Sequence, residues 1–213
     1  MSGLLVVGAG GHGKVVADTA EAMGQWEHIA FLDDKYPSVS SIMDWPVIGT
    51  LDQALPLQDK FSDLTVAVGN NTRRVELLYF FAKLGFNPVV IAHPRAFVSE
   101  RAVIEAGSVV LAQAAVNAGA KIGFGSIINT GATVDHNCML GEGVHLSPGV
   151  HLAGEVKIGR YSWLGVGSSV IPAVNIGENV TVGAGAAVIK DIESNIKVVG
   201  VPGRVTMRNE RFE

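Results

Sequence analysis

The chain has 213 residues, enough for one or two domains with a sizeable core. At 48 % hydrophobic and 17 % charged residues it is globular rather than disordered, and a net charge of −4 gives no electrostatic case for nucleic-acid binding. A single cysteine excludes an internal disulfide, and Leu4–Val7 is too short and lacks the basic flank for a signal peptide or membrane span, so a cytoplasmic protein is expected.

Leu4–Val7 is a run of β-formers followed at once by Gly8-Ala9-Gly10-Gly11-His12-Gly13. Val15, Val16, Thr19, Ala20 and Met23 then recur at helical spacing up to Gly24, a stop signal, and Ile29–Leu32 reads as a second strand ending in Asp33-Asp34. Strand, glycine-rich turn, helix and strand open a Rossmann-like sheet. The glycines let the backbone approach a phosphate at a helix N-terminus, where unpaired N–H groups favour an anion. Asp33 stands about 20 positions on, the spacing at which a carboxylate meets a ribose hydroxyl. Such turns also occur for structural reasons alone. Leu64–Val68 predicts a third strand ending in Gly69-Asn70-Asn71, Arg73–Leu84 a helix, and Pro88–Ile91 a fourth strand. Residues 1–95 therefore make about half a dinucleotide fold, sized for one nucleotide. The loops Gly8–Gly13, Asp33–Lys35 and Gly69–Asn71 should line one crevice.

From Val98 to Val188 every sixth residue is aliphatic, at sixteen positions without exception or insertion, and a small or slim residue such as Ala102, Ser108 or Ala114 follows four places later. Three hexads make one triangular turn of a β-solenoid, so positions 18 apart stack in columns. This unit spans 96–191. Flat, largely apolar prism faces predict self-association, and a trimer of parallel prisms is expected. Residues 192–213 are the cap and tail, with Ile196–Val201 covering the last open turn.

Three of the six histidines fall within the coil, at His136, His145 and His151. His136 lies two residues past inward Val134, near a corner, with Ala118 and Gly154 as column neighbours. That space admits a substrate, and a general base is the natural reading; an interface hydrogen bond is the alternative. His145 stacks below Trp163, half a turn from His136, so the two can share a site only between two chains. His151 reads as a surface residue and Cys138 as core, and no cysteine pair or close histidine spacing supports a metal. No Gly-x-Ser-x-Gly elbow marks a nucleophile, so a base would act directly on a substrate's own amine or hydroxyl.

The Gly-x-Gly-Gly-His-Gly opening, Phe31-Leu32-Asp33-Asp34, Val68-Gly69-Asn70-Asn71, the run Asn129–His136, His145-Leu146-Ser147-Pro148-Gly149 and Gly200-Val201-Pro202 together resemble a bacterial hexapeptide-repeat sugar acetyltransferase family. The family holds UDP-4-amino-sugar N-acetyltransferases of bacillosamine and perosamine type and sialic acid O-acetyltransferase-like proteins. The resemblance runs from Leu4 to about Arg204. It implies an α/β Rossmann-like half domain followed by an all-β left-handed parallel β-helix, assembled as a homotrimer with acetyl-CoA between neighbouring prisms. It places the catalytic base on His136, acetyl-CoA contacts on His145, Gly154, Val166 and Ala184, and nucleotide-sugar contacts on Gly10, Gly11, His12, Asp33, Asp34 and Gly69. Some members carry an acidic residue directly after the base; here that place is Asn137, which can orient an imidazole but cannot stabilise its protonated form by charge.

The implied activity is acetyl-CoA-dependent acetylation of the amine of a nucleotide-linked, UDP-type 4-amino-deoxy sugar, without a metal. O-acetylation of a sialic acid-like sugar, a non-catalytic trimeric scaffold and an NAD-dependent oxidoreductase are the competing readings.

Overall fold

The computed structural model describes residues 3–208. Of the segment read as cap and tail, residues 209–213 lie outside the described residues. β1 (Leu4–Val7), β2 (Ile29–Leu32), β3 (Ser41–Ile42), β4 (Trp45–Gly49), β5 (Asp63–Val66) and β6 (Asn87–Pro88) form one sheet in the order β3-β4-β2-β1-β5-β6. Pairing is parallel except for β3 on β4. In central β1, Leu4 and Val6 pack on the side of α1 (Gly11–Met23), Leu5 and Val7 on the side of α2 (Asn71–Lys83). Burial on both faces is why β1 reads as an unbroken apolar run.

α1 stops at Gly24, which takes φ 65° and donates its N–H to the Glu21 carbonyl. α2 starts two residues earlier than the periodicity suggests, because the Asn70 side chain caps it by accepting from the Arg73 N–H at 2.9 Å. β3 and β4 have no counterpart in the sequence reading: Pro46 and a mixed polar pattern hide them. The expected strand Pro88–Ile91 is divided. Asn87–Pro88 ends the first sheet beside β5, whereas Ile91–Ala92 is already the first rung of the coil and pairs with Val109–Val110.

The coil is three stacks of parallel two-residue strands. A first face runs from Ile91–Ala92 to Thr181–Val182, a second from Phe97–Val98 to Ala187–Val188, and a third from Val103–Ile104 to Asn175–Ile176. Rungs 18 residues apart are in register, as Val109 on Ile127 shows. The hexad aliphatics point inward and merge into one continuous core, each fully buried one stabilising by about 1.5–3 kcal/mol. This is a left-handed parallel β-helix. Ile196–Val199 extends the first face and pairs antiparallel with Arg204–Arg208. No helix among the described residues is long and apolar enough to cross a membrane.

The largely apolar prism faces expected are not equally exposed. On the first face the outward residues Ile91, Val109 and Ile127 are fully buried, and Ile91 and Val109 share a core with Leu4, Val6 and Val16 of the first domain. The lower rungs of that face are therefore covered within the chain, whereas Trp163 higher on it is exposed. Phe97, Val103 and Met139 on the other two faces are exposed.

α2 lies along one corner of the prism. Methyl groups added at Gly125 and Gly143 would meet Leu78 Cδ1 at 2.7 Å and Val75 Cγ2 at 2.9 Å, and both glycines have φ 63°. The helix advances about 5 Å per three or four residues, close to the 4.7–4.9 Å between stacked strands, so successive helix residues meet successive coils. A side chain at either glycine would lift the helix from the corner.

Candidate active site

The carboxyl ends of β1, β2 and β5 converge as the sequence suggests. Gly8, Asp33, Asp34, Lys35, Val68 and Arg73 line a crevice of about 270 Å³. Gly10, Gly11 and Gly69 face open space, where a ligand can approach the backbone, whereas a side chain at Gly13 would run into the Gly8 carbonyl oxygen and the Phe31 ring. Gly13 therefore serves close helix–strand packing. Asp33 does more than its spacing indicated. Its Oδ2 accepts from the Ala9 N–H at 2.8 Å and its Oδ1 from the Lys35 N–H at 2.9 Å, so the carboxylate shapes the glycine-rich loop itself.

His12, at the start of α1, reaches from this domain to the coil. Its ring stacks on that of His145, with centroids 6.5 Å apart and planes 28° apart. His12 Nε2 and His145 Nδ1 are enclosed and have no hydrogen-bond partner. The Asn129 Oδ1 accepts from the Thr130 N–H at 2.9 Å, which leaves its amide nitrogen to face His145 Nε2 at 3.3 Å. On that assignment Nε2 accepts and Nδ1 carries the proton: a buried N–H donor awaiting an acceptor. Burial, reinforced by the Arg74 charge, holds His12 down to about 4 and His145 to about 3, with His12 adding a smaller repulsion on His145. Both rings are neutral at physiological pH.

His136 occupies a different setting. It is exposed on the corner between the second and third faces, the corner opposite the first face and hence away from the first domain. Its ring lies over Gly154, where any side chain would collide with Cε1 and Nε2, and the Asn137 amide nitrogen stands 3.3 Å from Nδ1. Asp135 does not reach the imidazole; it accepts from the His136 backbone N–H at 2.7 Å and from Asn117 at 3.0 Å. For Nε2 to act as a base, Nδ1 must hold the proton and Asn137 must turn its carbonyl oxygen toward it, an exchange of O and N within one amide plane.

Within one chain the predicted residues form separate groups. Gly154 joins His136 in one column. Val166 and Ala184 stack in another, the Gly185 N–H donating to the Val166 carbonyl at 2.8 Å, at the exposed corner beyond the first face. His145 sits on the first face with His12. His151 is exposed, with Thr133 Oγ1 2.9 Å from its Nδ1, and Cys138 is buried with its thiol pushed up by burial, so both keep the modest roles their positions implied.

Residues 3–79 match the PglD N-terminal domain family. Over 109 residues, 49 % of this chain and 49 % of that protein, the chain is 37 % identical to UDP-N-acetylbacillosamine N-acetyltransferase of Bacillus subtilis. The aligned stretches span about half or less of the curated relatives it matches. The acetyltransferase domain of PglB from Neisseria gonorrhoeae FA1090, solved with acetyl coenzyme A, superposes with a TM-score of 0.93 at 46 % identity, covering 96 % of this chain and 98 % of that one. The chain belongs to the bacterial sugar N-acetyltransferase family. PerB of Caulobacter crescentus, solved with CoA and GDP-perosamine, gives a TM-score of 0.91 at 40 % identity over 97 % of this chain and 98 % of that one.

The roles of three polar residues of this N-acetyltransferase chain escaped the sequence reading. Asn129 orients His145, while Asn71 and Arg74 bind α2 to the coil. Asn70-Asn71 was visible as a motif, but Arg74 was not singled out within its helix, since nothing local marks a side chain that is entirely buried at the contact with another domain.

Proposed function

We propose that the chain transfers the acetyl group of acetyl-CoA to the amine of a nucleotide-linked 4-amino-deoxy sugar, with a uridine diphosphate carrier as the first expectation. The amine nitrogen attacks the thioester carbonyl carbon, the new C–N bond forms and the C–S bond breaks. His136 takes the amine proton, which passes to the departing thiolate to give free CoA. The observation that carries this reading is His136 over Gly154: a solvent-facing imidazole with room on one side only a glycine provides. Asn137 supports it by orienting the ring. The buried N–H of His145 suits the thioester oxygen, with Gly154, Val166 and Ala184 following the CoA chain. Gly10, Gly11, His12, Asp33, Asp34 and Gly69 take the nucleotide sugar.

His136 points away from the first domain of its own chain, so a complete site on this reading uses the first domain of one chain and the corner of another. A homotrimer meets that need, and the exposed Phe97, Val103 and Met139 supply apolar surface for it. Supplying acetyl-CoA with UDP-, GDP- and CMP-linked amino sugars and following free thiol tests the reading. Turnover with an amino sugar carrying UDP is expected. Turnover only on a sugar hydroxyl would convert it to O-acetylation, and no acetyl-CoA binding by calorimetry would leave the scaffold reading in its place.

A further inference from the structure

Arg74 is the largest of the fully buried side chains, and its partners are unusual for a cation. Nε donates to the Gly125 carbonyl at 2.7 Å, one terminal nitrogen to the Val68 carbonyl at 3.0 Å, and the other to the Gly143 carbonyl at 3.0 Å and to Asn71 Oδ1 at 2.9 Å. All are neutral oxygens, and among the described residues no carboxylate lies within ion-pair distance of it. Burial alone lowers it to about 9, which still leaves it charged near neutrality. A buried cation without a counter-ion is costly, so its position calls for a reason beyond packing.

Its partners supply one. Val68 belongs to the loop at the carboxyl end of β5 that lines the crevice, and Gly125 and Gly143 are successive steps of one coil corner. Asn71 extends the same contact one coil further, donating to the Tyr161 carbonyl at 3.0 Å and the Ser162 carbonyl at 3.3 Å. The Ser162 carbonyl in turn accepts from the His145 backbone N–H at 3.0 Å. We propose that Arg74 is a positioning residue that locks the crevice loop onto two consecutive coils, with Asn71 reaching a third, and thereby sets His12 against His145. The planar five-donor fork is what the task requires, since no single-point cation reaches both domains at once. The inference rests on the acetyl-transfer reading for its kinetic consequence, though not for the ring placement. The charged group acting on the two rings is Arg74, from α2, and each ring is the other's titratable neighbour across the contact between α1 and the coil.

The test uses Arg74→Lys and Arg74→Gln in the full chain, with steady-state kinetics and imidazole proton–nitrogen spectra of the substrate-free protein from pH 5 to 8. Arg74→Lys should remain folded and keep both rings from titrating. Its His12 and His145 signals should shift, and kcat should fall on the order of 10²-fold, as for a displacement of about 1 Å, with KM for acetyl-CoA little changed. Arg74→Gln also removes the charge, so any titration of the two rings should move upward, while burial, the larger cause, still holds it low. Arg74→Lys with wild-type ring signals and wild-type kcat overturns the proposal, as does a loss that merely follows the folded fraction. Should Arg74→Gln fail to fold, Arg74→Lys decides alone. A wild type that turns over no acceptor would count against the acetyl-transfer reading, and the ring signals would then decide for or against the positioning role by themselves.

Discussion

The two histidine settings of this coil are opposites. At the open corner, His136 meets solvent, with Gly154 on one side and Asn137 on its ring nitrogen. At the junction, His145 and His12 are wrapped by two domains and held neutral by burial and by a nearby guanidinium. The same six-residue scaffold carries both, so the repeat does not decide what an imidazole does. A ring that must exchange protons needs access to solvent or substrate. A ring that must offer one fixed hydrogen bond is better kept dry, where its protonation state cannot drift.

That contrast is tested most strongly by His136→Ala. The protein should fold like the wild type while kcat falls about 10²–10⁴-fold, the usual contribution of a positioned general base. Free-thiol release measures this, and wild-type turnover would end the proposed mechanism. Gly154→Ala is the next in size. Its methyl occupies the space of the imidazole, so turnover should drop on the order of 10²-fold through displacement of the ring. Thermal unfolding of the same variant should show a loss of only about 1–3 kcal/mol.

The junction also predicts a behaviour in stability. Both rings titrate near 6.5 when unfolded and at about 4 and 3 when folded, so the unfolded chain binds more protons in between. Their contribution is therefore complete above pH 6.5 and is lost as pH falls toward 4 and 3, on the order of a few kcal/mol in all. Unfolding midpoints at pH 7, 5.5 and 4.5 should decline accordingly, and His12→Gln should flatten the decline. An equal slope in the variant would show that acid sensitivity arises elsewhere. The smallest effect is expected from Asn137→Asp. A carboxylate beside Nδ1 fixes the tautomer that frees Nε2 and favours the imidazolium, so the acid limb of the pH–rate profile should move to higher pH by less than about one unit. An unmoved limb would remove residue 137 from the mechanism.

The coil was legible in the sequence because its signal is burial itself: one interior position per strand, repeated without insertion, as the continuous core confirms. The first domain was legible where strands are buried on both faces and less so elsewhere. Trp45–Gly49 carries a proline and alternating exposure, and the apolar run through Pro88 and Ile91 hides a crossing from one sheet to another. The crevice loops were visible because glycine and aspartate are required there by backbone geometry. The roles of Arg74 and Asn129 were not, since each acts through partners far away or on a neighbouring coil.

By itself, then, the sequence determined which side chains point inward, where the prism turns and which histidines stand outside the core, because those depend on a period that burial imposes locally. Only the tertiary structure decided that α2 rests on a glycine corner, that the first domain covers part of one prism face, and that His12 meets His145 across 132 intervening positions. Those facts depend on where one domain docks on another. Docking depends on matched spacings and buried hydrogen bonds between segments that carry no mutual signal along the chain.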